Sequence, residues 1–230
     1  MNKILITQSN YIPWKGYFDS INLVDELILL DDVQFTKRDW RNRNKIKTPD
    51  GLKWLTIPVE VKGKYHQKIN ETKISDQKWN ISHWQTIKNN YKNSKNFKEF
   101  SDFFEELYIK CDKKYLSEIN FYFISAICEL IEINTKITFS SSFELIGGKT
   151  DRLVDLCKKT NSNNYYTGPK AKDYIENEKF EMEGIKVNYL DYSSYIEYPQ
   201  INGVFSHEVS IIDLLFNVGK DYKLFLKTFN

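Results

Sequence analysis

Residues 3–44 read KILITQSNYIPWKGYFDSINLVDELILLDDVQFTKRDWRNRN, and their pattern decides the fold. Residues 3–7 form a short apolar run bounded by polar residues, which reads as a buried strand. YIPWKGYF is a loop that turns into a helix over about Gly16–Val24, with Phe18, Ile21, Leu23 and Val24 apolar. ELILL, residues 26–30, is a second strand. A strand, a helix and a strand in succession favour parallel strands joined by a right-handed crossover. In such sheets ligands sit beyond the carboxyl ends of the strands. Gln8, Ser9 and Asn10 follow one such end, and Asp31, Asp32 and Gln34 follow the other, so the two groups are expected to converge on one crevice.

The rest of the chain alternates in kind. Residues 52–59 read as another strand after the turn TPDG. Residues 79–134 have helical periodicity, and the most apolar part, LSEINFYFISAICELIEI, is expected in the core. KITFSSS is a strand entering a loop. KTDRLVDLCKKT is an amphipathic helix with Thr150 as its expected N-cap and Asp151 in its first turn. NYYTGPKAKDYI reads as strand, Gly-Pro turn and helix, and IKVNYLDY as a strand. SHEVSIIDLLFNVG is a closing helix that stops at Gly219. The expected fold is α/β: one domain over residues 1–230, built on a mostly parallel Rossmann-like sheet, with a helical insert at roughly 84–130.

Composition narrows the function. The 230 residues are 41% apolar and 28% charged, enough for a core and a solvated surface. Net charge is +2, from 33 basic and 31 acidic residues, which argues against a general nucleic-acid binder. The three cysteines, Cys111, Cys128 and Cys157, are widely spaced and form no CxxC pair, which points away from zinc knuckles and disulfide frameworks. No apolar run is long enough for a signal peptide core or a membrane span, so a cytoplasmic protein is expected. There is no G-x-S-x-G, P-loop or GxGxxG motif.

Five groups of residues carry chemistry. Gln8, Asn10, Tyr11, Pro13 and Trp14 offer amide groups and a flat ring around a polar ligand; the alternative is that Trp14 plugs the end of the sheet. Asp31 and Asp32, with Gln34, can accept sugar hydroxyls or orient a base, or else cap the next turn and pair with Lys37 or Arg38. A metal there is disfavoured because no third carboxylate lies nearby. Lys37, Arg38, Arg41 and Arg43 present cations suited to a diphosphate, with Trp40 between them as a stacking face. His83 is the candidate general base by its intrinsic pKa, with His66 and His207 behind it; its alternative is a buried structural role. Tyr198, Gln200, Asp213 and Asn217 place polar groups in an apolar helix and its approach, which marks either a buried network or a site.

QSNYIPWKGYFDSI, LDDVQFTKRDWRNRNKI, WLTIPV, TDRLVDLCKKTNSNNYYTG and SIIDLLFNVG together resemble the WbqC-like protein family of bacteria, from Ile4 to about Gly219. The resemblance implies a place in surface-polysaccharide biosynthesis, such as that of lipopolysaccharide O-antigen. It also implies work on a nucleotide-activated amino sugar, with acyl or aminoacyl transfer to the amine. No catalytic residue comes with it. Asp32 and His83 are the expected bases and Gln8 an expected oxyanion donor, read from this sequence. No cofactor is indicated. The acyl or aminoacyl donor is left open, a charged tRNA being the one nucleic acid that would fit. Two other readings stand beside it: a non-catalytic nucleotide or nucleotide-sugar binding protein, and a nucleotidyltransferase. The last rests on a weaker likeness to HIGH-motif nucleotidyltransferases, from which this chain departs. Lys15-Gly16-Tyr17 stands where their second His would be, and no His precedes His66.

Overall fold

The computed structural model describes residues 2–229. In chain order the elements are β1 (Lys3–Thr7), α1 (Lys15–Asn22), β2 (Glu26–Leu29), β3 (Arg43–Thr48), β4 (Gly51–Thr56), α2 (Trp79–Tyr91), α3 (Phe97–Ile109), α4 (Leu116–Leu130), β5 (Lys136–Phe139), α5 (Lys149–Lys159), β6 (Asn164–Thr167), α6 (Asn177–Glu181), β7 (Lys186–Tyr189) and α7 (Ile211–Val218). Short 3₁₀ turns follow β5 and β6.

Five strands form one sheet in the order β5-β2-β1-β6-β7, every neighbouring pair parallel. The expected mostly parallel α/β sheet is what the chain forms. It winds outward from β1 through β2 to β5, then returns to the other side of β1 through β6 and β7. The direction of winding reverses between β1 and β6, so a crevice opens at the carboxyl end of β1.

Both faces of the sheet are covered, which is why its strands read as continuous apolar runs. Leu5, Leu27 and Leu29 pack with α1, α2, α3, α4 and α7 through residues such as Phe18, Ile87, Phe104, Phe123 and Phe216. Ile4, Ile6 and Ile28 point the other way, onto Leu153 and Leu156 of α5 and Phe180 of α6. The helical stretch between β4 and β5 thus shares its core with α1 and α7. Cys111, Cys128 and Cys157 are buried free thiols, and burial pushes them up to about 11, 12 and 12. No helix among the described residues is long and apolar enough to cross a membrane.

Three local expectations are corrected. Residues 43–48, to which the sequence reading assigns no strand, form one, β3. It pairs antiparallel with β4 in a separate hairpin turned by Gly51 at φ 104°. Gly148, not Thr150, caps α5; Thr150 lies inside the helix, and the Asp151 carboxylate accepts from the Gly148 amide at 3.3 Å. The stretch after the Gly-Pro turn of residues 168–169 is a 3₁₀ turn, Pro169–Asp173, before the short α6.

Candidate functional site

The loop leaving β1 is held in a strained shape. Ile12 has φ 35°, costly for a β-branched residue, and the Asn44 amide secures it by donating to the carbonyls of Tyr11 (3.2 Å) and Ile12 (2.8 Å). Tyr11 is wholly buried, and its backbone amide donates to the Trp40 carbonyl at 3.0 Å. Pro13 offers its carbonyl to the first amide of α7 at 2.8 Å. With the loop fixed at these points, Trp14 stands edge-on to Tyr192 and Tyr195, 5.3 Å from each ring.

A cavity of about 240 Å³ lies beside Trp14. Its flat walls are Trp14, Trp40 and Tyr192, with Pro13. Its hydrogen-bonding groups are the amides of Asn10 and Asn44 and the ionisable His207 and Glu208. Asn10 Oδ1 is buried without a partner. Outside the cavity Trp40 meets Trp54 of β4 at 5.1 Å, and the Arg43 guanidinium covers Trp54 at 4.0 Å. Lys45 lies 5.6 Å from the Trp40 ring and reaches Glu208 at 2.5 Å.

Near the residues that follow β1 is a nearly buried cation. The Arg41 side chain is 13% exposed, its nearest carboxylate is Asp39 at 3.8 Å, and its Nε has no hydrogen-bond partner. Burial works against its charge, which Asp39 and the Tyr17 hydroxyl support. Asn120 of α4 fixes the Arg41 backbone by donating to its carbonyl at 2.9 Å, and also donates to Ser9 Oγ at 3.0 Å. Tyr17 donates to the Gln8 carbonyl at 3.2 Å. An arginine so buried is ordinarily paired. Here Asp39 is the one carboxylate near the guanidinium, and Nε is left without a close acceptor.

The family's sequence profile matches residues 8–223, a span that contains every residue of the cavity. The chain belongs to the WbqC-like protein family. It is 45% identical over 227 residues to the uncharacterized protein Rv1507c of Mycobacterium tuberculosis (strain ATCC 25618 / H37Rv), covering 99% of this chain and 98% of the relative. No solved structure matches.

Other residues singled out in this WbqC-like sequence lie elsewhere and are bonded within the chain. Asp31 accepts from the Ser141 amide (3.0 Å) and hydroxyl (2.7 Å), from Ser140 Oγ (3.2 Å) and from Asn70 (3.3 Å). It caps the turn after β5. Asp32 accepts from Ser140 Oγ and from Arg152, each at 2.5 Å. Partial burial would raise its pKa, but the bonds from Ser140 and Arg152 outweigh that and hold it below the usual carboxylate value. The partner of this pair is Arg152 rather than Lys37 or Arg38. Gln34 donates to the Tyr65 carbonyl at 2.8 Å, Lys37 lies 5.3 Å from the Tyr65 ring, and the Arg38 carbonyl accepts from Arg43. None of these lines the cavity.

His83 sits beneath the loop, with both ring nitrogens engaged. Nε2 faces the Thr56 carbonyl at 3.2 Å, which can only accept, so Nε2 carries the hydrogen. Nδ1 accepts from the Tyr11 hydroxyl at 2.9 Å, which in turn accepts from Tyr108 at 2.7 Å. Burial lowers the His83 pKa to about 4, so the ring is neutral. Tyr198, Gln200, Asp213 and Asn217 form a buried network. Asp213 accepts from Tyr91 (2.7 Å), Tyr198 (2.8 Å) and Gln200 (2.8 Å), while Asn217 Oδ1 accepts from the Ile201 amide at 3.1 Å. It ties the segment after β7 to α7.

Sequence reasoning missed Lys15, Asn44, Tyr192 and Glu208. Lys15 is 3% exposed, donates to the Ile196 carbonyl at 2.8 Å, and lies 5.2 and 5.0 Å from the rings of Tyr195 and Tyr198. Burial lowers its pKa to about 8. Only its place directly after Pro13-Trp14 could have marked it. Its aromatic neighbours come from the far end of the chain.

Proposed function

We propose that the protein binds a nucleotide-activated amino sugar and transfers an acyl or aminoacyl group to its amine, in the building of bacterial surface polysaccharide. The observation that carries this reading is Arg41, a nearly buried guanidinium at the carboxyl end of β1 whose Nε has no close acceptor and whose one carboxylate neighbour, Asp39, stands 3.8 Å away. Such a group calls for an anion, and a diphosphate supplies acceptors that match its fork. Gln8 adds an amide at the same strand end. The sugar ring fits between the aromatic walls of Trp14, Trp40 and Tyr192, with the unpartnered Asn10 Oδ1 for a hydroxyl. Trp54, tilted against Trp40, adds a second indole for the nucleobase. Membership of the WbqC-like family supports the same substrate class.

The internal bonding of Asp32 and His83 favours a second reading, binding without catalysis, since neither is free to take a substrate proton. A thermal-shift and calorimetric screen of nucleotide sugars tests binding. At a hundred times its dissociation constant the ligand stabilises the fold by about 2.7 kcal/mol. Amino-sugar nucleotides are expected to bind more tightly than the free nucleoside diphosphate. Mass spectrometry after incubation with acyl thioesters or aminoacyl-tRNA then separates the readings: an amide product supports transfer, and tight binding with no product supports the binding protein. Failure of every nucleotide sugar to bind ends both.

A further inference from the structure

We propose that His207 takes the proton released when the sugar amine attacks the acyl donor, with the buried Lys15 as a positioning residue behind it. The proposal rests on the transfer reading above.

The three histidines differ in what the chain does with them. His66 is exposed and lines no part of the cavity. His83 spends both nitrogens on protein partners. His207 lines the cavity, and its Nδ1 has no partner in the chain. Its ring is steadied on two sides, edge-on to Phe205 at 4.5 Å and tilted against Tyr195 at 6.4 Å. A base must be held in place while keeping bonding capacity for substrate; the ring is held by its bond to the Tyr195 carbonyl, and the buried Nδ1 is the nitrogen left with capacity to spare.

The charged groups around His207 come from two segments. Lys15 approaches from α1. Glu197 comes from the segment after β7, as do Tyr195 and the neighbouring Glu208, which Lys45 engages. Burial and the Lys15 charge disfavour the imidazolium, and Glu197 and the Tyr195 carbonyl favour it; the balance lowers the pKa from its usual value. The ring is therefore in the base form at neutral pH. No carboxylate among the described residues forms an ion pair with Lys15; Asp19, one turn along α1 and bonded by the Tyr195 hydroxyl, supports the Lys15 charge from farther off. The same ammonium fixes the Ile196 carbonyl, and with it the segment that carries the Tyr195 ring.

The chemistry balances without an oxidant or a reductant. The neutral sugar amine adds to the carbonyl carbon of an activated acyl donor, an oxygen ester or a thioester. The new N–C bond forms as the carbonyl electron pair moves to oxygen. His207 accepts the proton that the nitrogen must lose. The C–O or C–S bond then breaks, the oxyanion re-forms the carbonyl, and His207 returns its proton to the leaving oxygen or sulfur. Amine and acyl donor become amide and alcohol or thiol, and the imidazole ends as it began.

Two measurements test the proposal, one without any substrate. In an NMR titration of the full chain, the His207 ring is expected to protonate below the ordinary histidine value. That point should rise in Lys15→Met and stay low in Lys15→Arg. A His207 that titrates normally and ignores Lys15→Met overturns the proposal whatever the substrate proves to be. In turnover assays, His207→Gln and His207→Asn should lose at least about a hundredfold in kcat, with KM and nucleotide-sugar affinity within about twofold, and the acid limb of the pH profile should vanish. Turnover within threefold of the parent overturns it. If the parent itself makes no product, the transfer reading fails, while the titration still reports on the Lys15–His207 pair.

Discussion

The ring of Trp14 occupies the space into which a side chain at position 16 would grow: a β-carbon built on Gly16 would stand 2.3 Å from Trp14 Cζ2. Trp14 is boxed in by Tyr192 and Tyr195, so it cannot simply turn aside. Gly16→Ala should gain up to about 1 kcal/mol from helix propensity and lose about 1–3 kcal/mol to overpacking. We expect net destabilisation in urea unfolding. In a Trp14→Ala background the same change should become neutral or stabilising. Equal effects in both backgrounds would show that the two residues do not interfere.

Arg41→Met should weaken nucleotide-sugar binding roughly ten- to hundredfold, the worth of a charge-assisted contact. It should leave stability unchanged or raise it, because a buried cation short of partners costs free energy in the unliganded fold. Calorimetry and urea denaturation on the same variant check both halves. A large loss of stability would mark Arg41 as structural.

His83 links stability to pH. Its folded pKa, lowered to about 4, lies below the unfolded value of 6.5, so the unfolded state binds more protons between these limits. Stability contributed by the neutral ring is complete above about pH 6.5 and is lost as pH falls toward 4. The full swing is about 3 kcal/mol. Urea unfolding at intervals over this window should show the slope in the parent and a shallower one in His83→Gln, whose turnover should stay near that of the parent.

Asp213→Ala should destabilise by about 3–5 kcal/mol, since Tyr91, Tyr198 and Gln200 would each lose a buried acceptor. Tyr198→Phe, which removes one donor, should cost about 1 kcal/mol. If either variant keeps parental stability but loses ligand affinity, the network belongs to the site.

What could be read in the sequence was local. β1, α1 and β2 declare themselves because the apolar runs and the loop between them need no distant information. β3 was hidden because RNKIKT looks like solvent-facing chain. Its Asn44 and Lys47 are buried, at 2% and 3% exposure, and their polar ends are answered by the Tyr11, Ile12 and Val204 carbonyls. No periodicity rule anticipates partners so far away. Asp31 and Asp32 do follow a strand end. Ser140, Ser141 and Arg152, which occupy their oxygens, lie over a hundred residues on, so acceptors that look free in the sequence are taken in the fold. Asn10, Trp14 and Trp40, read as ligand-facing, do line one cavity, but three of its eight lining residues, Tyr192, His207 and Glu208, come from the far end of the chain.

That divided wall sets an order of events during synthesis. Trp14 and Trp40 leave the ribosome long before Tyr192, His207 and Glu208 exist. Until then the β1 loop is without the amide of Ile211, which its Pro13 carbonyl holds in the finished fold. Chain closure here depends on contacts of long sequence separation, which form late. A nascent chain that has emerged only as far as β7 lacks Tyr192, His207 and Glu208, and so has no complete cavity. Retention on an immobilised ligand would therefore separate completed chains from arrested ones.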